Sequence, residues 1–240
     1  KQLIDFASSN SSVLKKLIEK EVFEEYQLIQ DRTDFIEAEN AKDLSLSQSQ
    51  QKALDEIKNH FATKDVCLLH GVTSSGKTEI YSKLIQETMK TGKQILFLLP
   101  EIALTTQLVS RLRKFFGNKV AVFHSKYSNN ERVEVWNQVL QNSPKAQVVI
   151  GARSAMFLPF SDLGLVIVDE EHEQNFKQTD PAPRYHARDA VTVLAKFHQA
   201  KVLLGSATPS LETYYNTQSQ KYALVELFER FNNTPLPEVI

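Results

Sequence analysis

Eight consecutive residues, Gly71-Val72-Thr73-Ser74-Ser75-Gly76-Lys77-Thr78, fit the spacing G-x-x-x-x-G-K-[ST]. The chemistry of that spelling is phosphate binding. Gly71 and Gly76 permit backbone angles that a side chain resists. Successive backbone N–H groups then wrap a phosphate, and a helix opening at Thr78 adds the positive end of its dipole. Lys77 reaches the β- and γ-phosphates of a nucleoside triphosphate, and the Thr78 hydroxyl holds Mg²⁺. A second group follows the apolar run 163–168, where Asp169-Glu170-Glu171-His172-Glu173 begins. Asp169 supplies a hard oxygen ligand for a phosphate-bound Mg²⁺. Glu170 is placed to orient or deprotonate an attacking water. Alone, such an acidic cluster is more often a solvated turn; the phosphate loop is what gives it a task.

Both groups need a scaffold that brings strand ends together. From residue 46 the chain alternates strand and helix. The pattern predicts helices over 48–61, 78–90, 105–116, 130–141 and 187–198. Strands are expected at 66–70, 95–99, 120–124, 148–151, 165–168 and 202–206. The strands are continuous apolar runs, which implies a mainly parallel sheet covered by helices on both faces. In such a sheet ligands sit at the carboxyl ends of the strands, where Lys77 and Asp169 both fall. Nothing regular is expected to close the chain at 235–240. Residues 1–45 read differently, as a helix with Val13, Leu14, Leu17, Ile18 and Val22 on one face, a short strand at 26–29, and a polar linker at 37–45. One helix and one hairpin cannot bury a core alone.

Composition narrows the classes. The 240 residues are 42% hydrophobic and 24% charged, ordinary globular usage rather than disorder. The single Cys67 excludes a disulfide framework and offers no cluster for structural zinc. No run approaches a membrane span and no signal-peptide pattern opens the chain, so a cytoplasmic protein is expected. Net charge is −1, divided as 6 basic against 10 acidic residues over 1–45 and 22 against 19 over 46–240. Any nucleic acid must therefore bind at a local groove.

The remaining motifs resemble one family. Asp169-Glu170-Glu171-His172 is similar to the second helicase motif of superfamily 2, and Gly205-Ser206-Ala207-Thr208-Pro209-Ser210 to the third. Pro100 to Gln107 and Ile150 to Ser154 resemble the two motifs that touch the DNA backbone. The wording L-P-E-I-x-L-T, R-Y-H-A-R-D and G-S-A-T-P-S-x-E resembles, more narrowly, the primosomal helicases that restart stalled bacterial replication forks. The resemblance runs over about 44–226. It implies a RecA-like P-loop NTPase lobe over 46–240, preceded in 1–45 by the end of a winged-helix domain and a linker. ATP and Mg²⁺ are the implied cofactors, with no zinc in this stretch. Single-stranded or forked DNA and other primosome proteins are the implied partners, with no membrane.

Residue by residue, the resemblance implies that Gly71, Ser75, Gly76, Lys77, Thr78 and Glu79 hold the nucleotide. Gln50 would lie near the adenine. Thr78 and Asp169 would hold the metal, with Asp169, Glu170 and Lys77 catalytic. Glu101, Thr105, Gly151, Arg153, Ser154, Arg184, Tyr185 and Arg188 would face DNA. His172, Ser206 and Thr208 would link nucleotide state to DNA contact. Phe176 and Tyr185, in an aromatic-containing loop over 176–188, are the stacking candidates. By the same comparison the chain reads as a fragment without the second motor lobe and its arginine, binding ATP weakly, hydrolysing it slowly and not unwinding DNA.

Blander readings cover other residues. His124 is expected to be a satisfied strand-end residue, His70 a structural neighbour of the loop, and Cys67 inert on a buried strand. Val133, Val135, Trp136 and Val139 read as the packed face of a helix. Three other functions stay open: another superfamily 2 DNA translocase, a small-molecule P-loop kinase, and a non-catalytic nucleotide-dependent binding module.

Overall fold

Apolar runs without polar alternation must be buried on both faces, and the computed structural model shows how. It describes residues 45–100, 106–123 and 127–230, with residues 12, 13, 16, 17, 20 and 22 nearer the N-terminus. The chain divides into two compact units, Lys1–Phe35 and Ile36–Ile240. In the first, residues 12–13 and 16–17 are helical. The rest of the expected winged-helix remnant and nearly all of the linker lie outside the described residues, as does His124.

In the second unit the order is α1 (Gln48–Phe61), β1 (Val66–Gly71), α2 (Lys77–Lys90), β2 (Gln94–Leu98), α3 (Thr106–Phe116), β3 (Val120–Phe123), α4 (Asn129–Leu140) and β4 (Val148–Gly151). There follow β5 (Leu163–Asp169), β6 (Lys177–Gln178), β7 (Tyr185–His186), α5 (Ala187–His198), β8 (Lys201–Ser206), α6 (Leu211–Gln218) and β9 (Ala223–Leu227). Seven strands form one parallel sheet in the order β3-β4-β2-β5-β8-β1-β9. Alternate residues of each strand feed two cores. Leu68, Leu96, Val166 and Leu204 meet α4 and α5 on one face. Leu69, Phe97, Ile167 and Leu203 meet α1, α2 and α3 on the other. This is the parallel, doubly covered sheet expected from the alternation of elements, and the RecA-like lobe that the resemblance implied.

Local chemistry starts the helices where they are needed. Ser47 and Gln50 form a reciprocal capping box on α1, and Ser128 and Glu131 do so on α4. Gly76 opens α2 from a left-handed conformation. Among the described residues, no helix is long and apolar enough to cross a membrane.

Two local expectations are corrected. Trp136 and Val133 do not pack: they are 44% and 57% exposed, and only Val135 and Val139 of that helix are buried. Val135 and Val139 lie four residues apart, so successive turns bring one narrow stripe inward. Residues 211–227, to which the pattern assigned no element, add α6 and β9. The latter pairs with β1 and closes that edge of the sheet. Phe176 is 1% exposed and belongs to the core. The segment after it is not an open loop throughout, since β6 and β7 pair as a short antiparallel ladder.

Candidate nucleotide site at the sheet's carboxyl edge

The strand order decides which residues meet. β8 lies between β1 and β5, with Asp169 opposite Gly205 and His70 opposite Ser206. The phosphate loop after β1 and the acidic turn after β5 therefore flank the end of β8. Between them lies a cavity of about 350 Å³, lined by residues 73–79, Arg111, Asp169 and Glu170. Lys77, Thr78, Asp169 and Glu170 thus share one space of a size that takes part of a nucleotide.

The loop is built as a cradle. Ser74 and Gly76 take positive φ, 64° and 85°. A Cβ on Gly76 would fall 2.0 Å from Gln50 Nε2. Gln50 is 3% exposed and does not line the cavity. Its Nε2 donates to Ser75 O at 3.1 Å, and its Oε1 accepts from Ser47 N at 2.9 Å. The amide expected beside an adenine is instead committed to bracing the loop from beneath. Lys77 is 8% exposed, and its Nζ donates to Gly71 O at 2.9 Å. The Ser75 hydroxyl is buried without a hydrogen-bond partner among the described residues. A cradle with a buried ammonium, an orphaned hydroxyl and a helix N-terminus fits a phosphate chain. Hard oxygens at Thr78, Asp169 and Glu170 on the same cavity fit a small divalent cation. Glu79 is ion-paired with Arg111 at the rim.

On the acidic side, Tyr81 Oη donates to Asp169 Oδ1 at 2.9 Å. Burial first, and then the charge of Glu170, push the Asp169 carboxyl up to about 6; Tyr81 and Lys77 pull the other way. Glu170 has φ 51°, a backbone state costly for a non-glycine residue, at the point where the turn leaves the strand. His172 Nδ1 lies 2.8 Å from Ser206 Oγ, and its Nε2 lies 3.4 Å from Thr208 Oγ1. The Ser206 hydroxyl also accepts from Thr208 N at 3.0 Å. One imidazole therefore ties the acidic turn to the end of β8.

Glu171 is fully buried. It accepts from Ser210 N at 2.7 Å, Thr213 Oγ1 at 2.8 Å and Arg188 Nη1 at 3.1 Å. Arg188 also donates through Nε to Asp189 at 2.8 Å. Burial works against the guanidinium's charge, but Asp189 and Glu171 outweigh it and hold its pKa above the usual value. Arg188 is 6% exposed and is not at a DNA surface, contrary to expectation. A buried carboxylate needs a partner charge, and α5 delivers this one.

The other residues expected to face DNA differ in burial and in what they touch. Glu101 and Thr105 lie outside the described residues. Gly151 is buried, and a Cβ there would sit 2.5 Å from Ala155 Cβ, so its small size serves packing. Arg153 Nη1 donates to the carbonyls of Asn175 and Lys177 at 3.3 and 3.1 Å, clasping the segment that leads into β6. Ser154 and Arg184 are exposed and Tyr185 is half-buried. Tyr185 meets Phe157 edge-to-face at 5.2 Å, and Phe157 is 53% exposed. The aromatic pair on this surface is thus Phe157–Tyr185, with Phe176 inside. Sequence reasoning also missed Tyr81, Gly205 and Arg111. Tyr81 stands on the apolar face of α2 and reads as core. Arg111 belongs to an amphipathic helix with no local sign that it reaches the loop.

The chain is similar to several known proteins. The DEAD/DEAH box helicase family matches residues 47–217. The chain is 39% identical to the replication restart protein PriA of Bacillus subtilis, over 99% of the chain and 30% of that relative. It is 48% identical to the PriA of Synechocystis, over 72% of the chain and 21% of the relative. With that of Haemophilus influenzae it shares 45% identity over 83% and 26%. The chain thus spans less than a third of the length of these relatives. Among solved structures, RecG bound to a three-way DNA junction superposes with a TM-score of 0.55 at 20% identity, covering 91% of the chain and 26% of RecG. The helicase MrfA bound to DNA gives 0.56 at 15% identity, covering 77% and 27%. At these identities the two structures speak to the fold.

Proposed function

This chain belongs to the DEAD/DEAH box helicase family, and from that membership we propose that it carries the ATP-binding lobe of a DNA helicase acting in bacterial replication restart. The observation that carries the proposal is the single cavity shared by Lys77, Thr78, Asp169 and Glu170. Residues 46–240 are the motor lobe and residues 1–45 a winged-helix end and linker. The family match, which begins at residue 47, supports the motor lobe's assignment. Forked or single-stranded DNA is the proposed substrate, other primosome proteins the partners, and the cytoplasm the location.

Mg²⁺ bound with ATP would supply charge neutralisation and an electrophilic γ-phosphoryl group. Lys77 and the backbone N–H groups at 75–78 bind the phosphate oxygens. Thr78 and Asp169 are the metal ligands. Glu170 orients the attacking water and accepts its proton. His172, through Ser206 and Thr208, transmits the state of that turn to the end of β8. Arg153, Ser154, Arg184 and Tyr185, with Glu101 and Thr105, form the DNA contact. A small-molecule kinase would have no use for the His172–Ser206–Thr208 link, and another superfamily 2 translocase would lack the narrower wording of its motifs.

The test is ATP turnover with and without single-stranded DNA, in the chain and in a full-length relative carrying the same residues. We expect Glu170→Gln to bind Mg·ATP and to lower turnover at least a hundredfold, the scale of a general base. Turnover left unchanged by that substitution, or phosphate transferred to a small alcohol in place of water, would overturn the reading.

A further inference from the structure

The geometry points to Tyr81 as a positioning residue for the Asp169 carboxylate, seated in a socket that only glycine at position 205 leaves open. The inference rests on the reading of the cavity as a Mg-nucleotide site.

Tyr81 lies on the inward face of α2 beside Ile80, Leu84 and Ile85, all buried. Its ring packs edge-to-face on Phe97 at 5.6 Å, a task that phenylalanine would perform equally well. What a phenylalanine could not do is donate a hydrogen bond. Taking a hydroxyl out of water is unfavourable unless it finds a partner. Here the residue is fully buried and its partner is Asp169 Oδ1, at 2.9 Å. The socket involves a second residue. A Cβ on Gly205 would stand 1.7 Å from Tyr81 Oη, 2.9 Å from its Cζ and 3.2 Å from Asp169 Oδ1. Glycine inside a strand weakens it, since it has no side chain to pack. β8 carries one at the register position opposite Asp169, between Leu204 and Ser206. Two elements far apart in sequence are therefore shaped around one hydroxyl.

The consequence concerns metal binding. With Oδ1 held by Tyr81, the carboxylate has a set orientation before any cation arrives. Partners of this kind typically govern metal affinity tenfold or more. Tyr81 itself does not touch the nucleotide cavity. It acts through Asp169, so its loss is expected to appear only when metal is present.

The experiment uses the chain itself with Mn²⁺ as a paramagnetic stand-in for Mg²⁺ and a non-hydrolysable ATP analogue. Nucleotide affinity is measured in chelator and again with Mn²⁺, and metal affinity is read by electron paramagnetic resonance. For Tyr81→Phe we expect nucleotide affinity in chelator to stay at the wild-type value and Mn²⁺ affinity in the ternary complex to fall about tenfold. In an Asp169→Asn background the same substitution should cost nothing further. Equal loss with and without metal, wild-type Mn²⁺ affinity, or an additive loss on top of Asp169→Asn would each overturn the inference. So would a Tyr81→Phe chain that fails to fold, which would assign the hydroxyl to the core. A wild-type chain showing no metal-dependent nucleotide binding would instead overturn the reading of the site itself.

Discussion

Asp169 and Lys77 line one cavity. Burial and Glu170 raise the carboxyl from an ordinary 3.8 to about 6. The folded state therefore holds the proton more tightly than the unfolded chain. By linkage, this group contributes stability that is fully present below about 4 and lost as pH rises through about 6. Urea denaturation of the apo chain at a series of pH values, with Asp169→Asn subtracted as reference, should show that slope. A flat difference curve would refute it. Metal binding has the opposite sign, since the ligand must be deprotonated. Mg·ATP affinity should strengthen as pH rises through about 6, and this dependence should vanish in Asp169→Asn. The contiguous motifs at this scale were legible. Residues 71–78 and 169–172 announce their chemistry because each works through neighbours in the chain. The hydroxyl of Tyr81 was not legible, because its partner is 88 residues away.

At the scale of elements, the buried Glu171–Arg188 pair joins the acidic turn, the start of α5 and the cap of α6. Ser210 is that cap: its hydroxyl accepts from Thr213 N while its own backbone N–H donates to Glu171. Removing Glu171 takes a fully buried counter-charge from the guanidinium and leaves it the exposed carboxylates of Asp189 and Glu212. Glu171→Ala should cost about 3–5 kcal/mol of stability, while exchanging both residues for methionine should cost much less. Chemical denaturation of the two variants checks this, and equal losses would show that the pair is not energetically coupled. The resemblance placed Arg188 at the DNA surface with Arg184 and Tyr185. Basic residues in a polar stretch do usually lie in solvent. What overrode that prior was the start of α5 directly after β7, where Ala187 and Arg188 are both buried. Trp136 went the other way, since helical spacing shows that a face exists but not how wide a stripe the sheet will cover.

For the whole molecule, the cavity sits at the carboxyl edge between α2, α3 and the strand ends, so nucleotide binding should stabilise the fold that forms it. At a hundred times its dissociation constant, a ligand adds about 2.7 kcal/mol. For a chain of this size that corresponds to roughly 5–10 °C in melting temperature. Lys77→Ala should keep the apo melting temperature, because among the described residues its ammonium's hydrogen bond goes to the Gly71 carbonyl, and should abolish the shift. Differential scanning calorimetry with Mg·ATP decides it, and a lost transition in the apo variant would refute the expectation. The sequence by itself determined the parallel, doubly covered sheet and the two motifs that end its strands. Periodicity and contiguous spelling are local properties, written in neighbouring residues. Tertiary structure alone decided that β8 would run between β1 and β5. From that followed the opening at Gly205 for the Tyr81 hydroxyl, the burial of Arg188 against Glu171 and the use of Gln50 as a brace. The order of parallel strands is set by crossovers that pack whole helices on one face or the other, and no short window of residues encodes which strand will be the neighbour.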